Sequence, residues 1–372
     1  MARVVRPLVR RRPRTAVVLG GGGNLGAIQV GQLRALAERG IVPDIVLGCS
    51  VGALNGGAFA VDPSMAGVRH LEQIWTEIQH EPETLMPGSW IPNPVQLLRK
   101  GSALNPNDGL SRTIRRFLSG RERFDELTVP FQCVATDVDA GAETWFSEGP
   151  LLEPILASAA LPAVYPVVTI GERRFLDGGV LNNVPIARAI ELGARKIYVL
   201  HVGLHGKPKP AITRPADAAL IAYWIARNGR FSRDLASLPR NVEAIVLPPG
   251  ERPELRFDDF DHTDELMEQG YLNAVGYLDQ LEADDEDEAM GDRAERLRAD
   301  ARRVIDEMRG KVTGRWGHGQ PTERDAALER DERDERDELD ERDELDPDDP
   351  DDPDELDGGS PDEADVDVTP LT

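Results

Sequence analysis

The sequence predicts an α/β fold, with a mostly parallel central sheet, helices on both faces and a disordered acidic C-terminal tail. Three observations carry this. Two short apolar runs, Thr15–Leu19 and Ile45–Leu47, each end in glycine and lead into a segment of helical character; strand–helix–strand–helix is how a parallel sheet begins. Strand-like and helix-like runs go on as far as Met308. Beyond about Gln320 apolar residues almost vanish, so no core can form there to offset chain entropy.

Taken in order, Thr15–Leu19 is a buried strand ending in Gly20–Gly23. From Gly26 to Arg39 the residues Ile28, Val30, Leu33, Leu36 and Ala37 recur at helical spacing, and Gly40 closes the helix. Ile45–Leu47 is a second buried strand. The small residues from Gly52 to Ala58 predict a helix packed close to its neighbours. Ala66–Ile78 reads as a helix, whereas Pro87, Pro92 and Pro94 break Leu85–Leu98. Further strands are expected at Phe131–Thr136, Arg174–Leu176, Lys196–Val202 and Val242–Leu247. Further helices are expected at Leu151–Ala160, Ile186–Leu192, Ala216–Ile225, Asp264–Leu281 and Ala294–Met308. The expected organisation is a basic arm over 1–14, an α/β domain over 15–281, a helical extension over 282–319 and the acidic tail over 320–372.

The chain has 372 residues and a net charge of −24. Gln320–Thr372 holds 25 Asp and Glu against 5 Arg, so −20 belongs to the tail and only −4 to the rest. The acidity is therefore an appendage, whose default role is solubility and whose protein partner is undefined. Two cysteines, Cys49 and Cys133, make no disulfide framework, and free thiols in a reducing compartment are expected. No run reaches the ~18 apolar residues of a membrane-spanning helix. Ala16–Leu19 is too short for a secretory core behind the basic residues Arg3–Arg14. A cytoplasmic protein is expected, with at most transient peripheral membrane contact through its basic arm. No nucleic-acid partner is expected.

Gly21-Gly22-Gly23-Asn24-Leu25-Gly26 matches G-x-G-x-x-G between a strand and a helix, which raises a dinucleotide site. Such a site wants an acid at the end of the second strand. Here that strand ends in Gly48-Cys49-Ser50, and Asp44 lies before it. A phosphate-binding P-loop fails too, because Ala27-Ile28 follow Gly26 where Lys-Ser/Thr is required. An oxyanion hole remains. Its backbone N–H groups, from Gly21, Gly22, Gly23 and Gly26, would face outward beside the positive end of the next helix. The plainer alternative is a structural turn.

Gly48-Cys49-Ser50-Val51-Gly52 has the form of a nucleophile turn. A sharp strand-to-helix turn needs glycine two positions either side, and it lifts the serine hydroxyl above the carboxyl edge of the sheet. The Gly-rich loop would leave the adjacent strand at the same edge. The base is less decided. Of His70, His80, His201, His205, His262 and His318, only His201 lies at a strand end and suits a triad. Asp177, followed by Gly178 and Gly179, also ends a strand, is little shielded locally and suits a Ser–Asp dyad. A free aspartate, with pKa ~3.9, is a feeble base unless desolvation raises it.

Together, Gly21–Gly26, Gly48–Gly52 and Asp177–Gly179, in that order and spacing, resemble the patatin-like phospholipase family. Ala135-Thr136-Asp137 and Ala157-Ser158-Ala159-Ala160-Leu161-Pro162 add to the likeness. It spans about Thr15 to Val202, and more loosely to Leu281. The resemblance implies a Ser50 nucleophile with Asp177 as proton acceptor. It implies no catalytic histidine, metal or other cofactor, and hydrolysis of acyl esters, typically of lipids. The family often has Arg or Lys just before the last glycine of the first motif. Leu25 stands there in this chain, which removes that charge and leaves the backbone donors. Other readings of the residues are an α/β-hydrolase with a Ser-Asp-His triad and a non-catalytic binding module. An acyl chain needs an apolar groove. Leu85, Met86, Trp90, Ile91, Val95 and Leu97 are expected either to line it or to pack as a loop on the core.

Overall fold

The computed structural model describes residues 14–81, 107–162, 164–202, 215–250, 259–287 and 290–313. The basic arm up to Pro13, the segment Leu85–Leu97, His205, His318 and the acidic tail lie outside them. The described residues belong to one compact unit ending at Thr313, and Gly314–Thr372 lies wholly outside them.

Among the described residues, eight strands form one sheet: β1 Arg14–Leu19, β2 Ile45–Gly48, β3 Phe131–Asp137, β4 Ala142–Phe146, β5 Val168–Ile170, β6 Arg173–Asp177, β7 Ala194–Leu200 and β8 Glu243–Val246. Five run parallel in the order β3-β2-β1-β7-β8, β4 and β6 each pair antiparallel with β3, and β5 pairs antiparallel with β6. The sheet is thus mixed, with a parallel centre.

The central strands are apolar because helices cover both faces. Val17 and Leu19 of β1 enter one core and Ala16 and Val18 the other, as period-2 alternation requires. The first core is closed by α1 Gly26–Glu38, α2 Val51–Val61, α3 Met65–His80, α4 Asn107–Phe117, α5 Leu152–Ser158 and α8 Thr263–Asp287. The second takes α6 Ile186–Glu191, α7 Pro215–Ala236 and α9 Met290–Thr313. In α3, Val68, Leu71, Ile74, Trp75 and Ile78 make the buried stripe, and the Ser64 hydroxyl caps the helix by accepting from Ala66 N–H. At Gly31 and Gly270, α1 and α8 touch backbone to backbone, leaving no room for a Cβ on either. The expected domain end at Leu281 falls inside α8, and α9 packs on α7 and β8.

Most predicted elements are present. Three are additional. In α4, Leu110, Ile114 and Phe117 are buried at helical spacing within an otherwise polar segment. β4 is half-exposed along most of its length and shows no apolar alternation, and β5 is only three residues long. α7 also continues past Ile225 to Ala236.

Candidate active site

The strand registers bring the site together. β1 ends level with both neighbours, Leu19 lying opposite Gly48 of β2 and Leu200 of β7. The Gly-rich loop and the Ser50 turn therefore leave one edge of the sheet side by side, as expected. β3 supplies the second alignment. Residues Ala135–Asp137 pair with both β4 and β6, and Cys133 pairs with both β2 and β4. Since β4 takes one edge, β2 and β6 share the other and meet end to end. Gly48 lies opposite Cys133 and Asp177 opposite Ala135, two residues or about 7 Å apart along β3. The side chains that follow those strand ends must then converge.

They do. Ser50 Oγ donates to Asp177 Oδ2 at 2.6 Å. Ser50 is half-buried and caps α2 with φ 56 and ψ −127, a conformation that costs a non-glycine residue about 1–3 kcal/mol. Its surroundings hold it there. Cys49 N–H donates to Leu19 O, Gly52 N–H to Cys49 O and Ser50 N–H to the buried Ser158 Oγ. A Cβ on Gly48 would strike the Gly52 backbone, and one on Gly52 would strike the Leu19 and Gly20 carbonyls. The turn glycines are thus required by contact.

Asp177 is fully buried. Its Oδ1 accepts from Gly179 N–H at 2.7 Å, its own N–H donates to Ala160 O and its carbonyl accepts from Thr136 Oγ1. A Cβ on Gly178 would collide with Val134 O. Desolvation pushes the carboxyl up to about 6, against the hydrogen bonds from Ser50 and Gly179 and the positive Arg227, which pull it down. Ala135–Asp137 and Ala157–Pro162 both serve this pair: Thr136, Ser158 and Ala160 position it, while Asp137 bonds the N–H groups of Asp139 and Ala140 in the β3–β4 turn.

The Gly-rich loop is held by its carbonyls. Gln29 Nε2 donates to Gly20 O and Leu200 O, and Asn55 Nδ2 donates to Gly26 O and Gln29 Oε1. Trp75 Nε1 donates to Asn55 Oδ1. Gly21 O accepts from Arg227 Nη2 at 2.5 Å and from Asn183 Nδ2 at 3.3 Å. The four expected donors then divide. Gly21 N–H is taken by Asn183 O, and Gly26 N–H by Gly23 O and Asn24 O, so these two are structural, a correction to the expectation. The N–H groups of Gly22 and Gly23 make no hydrogen bond among the described residues. Gly23 adopts φ 61, which favours glycine, and Gly22 lies against Val202.

His201 follows β7, is buried and packs its ring on Phe231. Neither Ser50 nor Asp177 hydrogen-bonds a histidine among the described residues. Cys49 and Cys133 are buried and free, and burial raises both thiols far above their usual range. Among the described residues no cluster of three His, Cys, Asp or Glu could hold a metal, and no helix is long and apolar enough to cross a membrane. Leu25 is buried in the core. Sequence reasoning missed Gln29, Asn55, Asn183 and Arg227. Polar residues in the small-residue helix α2 and on the buried face of α1 were readable signals for Asn55 and Gln29. Arg227 offered none, since 206 residues separate it from Gly21.

Residues 17–190 match the family model of the patatin-like phospholipases. The chain is 31% identical over 212 residues to patatin-like phospholipase domain-containing protein 7 of Rattus norvegicus, covering 56% of this chain and 15% of that protein. It is 30% identical over 218 residues to an uncharacterised NTE family protein of Mycobacterium tuberculosis, covering 58% of this chain and 55% of the relative. The match thus spans a small part of the rat protein and about half of the mycobacterial one. Among solved structures, VipD from Legionella pneumophila is similar at 14% identity and a TM-score of 0.40, covering 73% of this chain and 67% of that one.

Proposed function

We propose, from the premise that residues 17–190 are a patatin-like phospholipase domain, that the chain is a serine acyl-ester hydrolase acting on lipids. The observation that carries this is the 2.6 Å hydrogen bond from Ser50 Oγ to a fully buried Asp177. Asp177 accepts the hydroxyl proton as Oγ attacks the acyl carbonyl. The oxygen of the tetrahedral intermediate turns to the N–H groups of Gly22 and Gly23. The proton passes from Asp177 to the leaving alcohol, and acyl-Ser50 remains. Water then loses a proton to Asp177 and attacks the acyl carbon; the acyl–Oγ bond breaks, Asp177 returns the proton to Ser50 Oγ, and the fatty acid leaves. A carboxyl at about 6 is a better base than a solvated aspartate and still ionised at neutral pH. The family's name and the phospholipase in the name of the rat relative support a lipid ester. A cytoplasmic site of action with transient membrane contact belongs to the same proposal, since such substrates reside in membranes.

The test is a p-nitrophenyl ester chain-length series, with release of fatty acid from phospholipid vesicles, on wild type, Ser50→Ala, Asp177→Asn and His201→Ala. Hydrolysis should be lost in the first two variants and kept in the third. A folded His201→Ala without activity would replace the dyad by a triad. Turnover of simple esters with none of vesicle lipids would remove the lipid assignment.

A further inference from the structure

We propose that Arg227 is a positioning residue of the oxyanion site, aiming and polarising the Gly22 N–H through the Gly21–Gly22 peptide. The assignment rests on Ser50 being the nucleophile. Arg227 projects from α7 and is buried, and its Nη2 donates to Gly21 O at 2.5 Å. A trans peptide is planar, so the carbonyl of Gly21 and the N–H of Gly22 point in opposite directions. Fixing the carbonyl inward therefore fixes the N–H outward. Gly21 itself lies close beside the nucleophile, since a Cβ added there would come within 2.8 Å of Ser50 Cβ.

Holding the loop does not require a charge. Asn183 already bonds the same carbonyl with a neutral amide, and its own carbonyl takes Gly21 N–H. A buried guanidinium brings a desolvation penalty that a second amide would avoid. What it adds is a cationic donor. That bond withdraws electrons from the peptide and strengthens its N–H as a donor. The same charge acts on Asp177, lowering a carboxyl that burial raises. One residue thus serves the oxyanion donor and the ionisation of the base. Leu25 is apolar and buried, so Arg227 brings to the loop a charge that Leu25 does not.

The test uses the full chain, with p-nitrophenyl butyrate as substrate and active sites titrated by a fluorophosphonate. Wild type, Arg227→Lys, Arg227→Gln and Ser50→Ala are compared, with circular dichroism to check folding. Losing one oxyanion donor lowers kcat about 10²–10³-fold, and weakening one should lower it about 10-fold or more. For Arg227→Gln we expect that loss per titrated site at a KM within about twofold of wild type, and an acid limb moved to higher pH. Arg227→Lys keeps the charge, so its limb should return to the wild-type position while kcat recovers only in part. Folded Arg227→Gln with wild-type kcat per site, or with an unmoved acid limb, overturns the assignment. If Arg227→Gln does not fold, Arg227→Lys decides: reduced kcat at unchanged KM supports the proposal, and wild-type kcat overturns it. Activity surviving in Ser50→Ala would instead overturn the proposed function.

Discussion

Ionised at neutral pH, the buried Asp177 carboxylate destabilises the fold, and replacing it with asparagine measures by how much. Its pKa in the folded chain is about 6, against ~3.9 for an exposed aspartate in the unfolded one. Between those values the folded state keeps a proton that the unfolded state has released. Its contribution to stability is therefore complete below about pH 4, lost as pH rises through about 6 and constant above. Two units at about 1.4 kcal/mol each give a deficit on the order of 3 kcal/mol at pH 8. The amide introduced by Asp177→Asn has no charge to desolvate and can form both hydrogen bonds. Its oxygen accepts from Gly179 N–H and its nitrogen donates to Ser50 Oγ, whose present partners lie at 2.7 and 2.6 Å. Asp177→Asn should thus be inactive yet more stable at pH 8. At about 2.1 cal/mol/K per residue, over a unit ending at Thr313, 3 kcal/mol raises Tm by about 5 °C. The gain should shrink to nothing near pH 4. Melting curves from pH 4 to 8 for both proteins measure it. A variant no more stable at pH 8, or a difference that ignores pH, would refute the claim that desolvation governs Asp177.

The same carboxyl predicts an acid limb in kcat/KM with an apparent pKa of about 6, since Asp177 must be ionised to accept the Ser50 proton; a limb near 4 would mean a solvated base. Ser50→Gly and Ser50→Ala should both be inactive. The glycine variant should be the more stable in urea by about 1–2 kcal/mol, because φ 56 strains alanine and suits glycine; equal stabilities would contradict the strained turn. Asn55→Leu strands Trp75 Nε1–H and Gln29 Oε1 inside the core, an expected loss of about 2–4 kcal/mol. Adding Trp75→Phe should recover part of it.

How much of this was legible depended on whether a residue's role is local. Gly48 and Gly52 are required by backbone contacts within a few residues of Ser50, or with the adjacent strand end, and that demand shows as a motif. Asp177 ends a strand, so its arrival at the sheet edge could be read too. Its full burial could not, because it arises from β6 meeting β2 end to end along β3. The division of labour among four glycines that look alike was also hidden. The carbonyls of that loop are held by Gln29, Asn183 and Arg227, contributed by α1, the segment before α6, and α7. β4 and β5 escaped notice because neither has apolar alternation long enough to detect. α4 escaped because its three buried anchors sit among polar residues.

The central claim is that Ser50 is a nucleophile activated by Asp177. Fluorophosphonate labelling followed by peptide mass mapping tests it most directly. The account predicts one phosphonylated peptide, carrying Ser50, with a labelling rate that rises through about pH 6 and vanishes in Ser50→Ala. An adduct on any other residue, or labelling that survives Ser50→Ala, would contradict it.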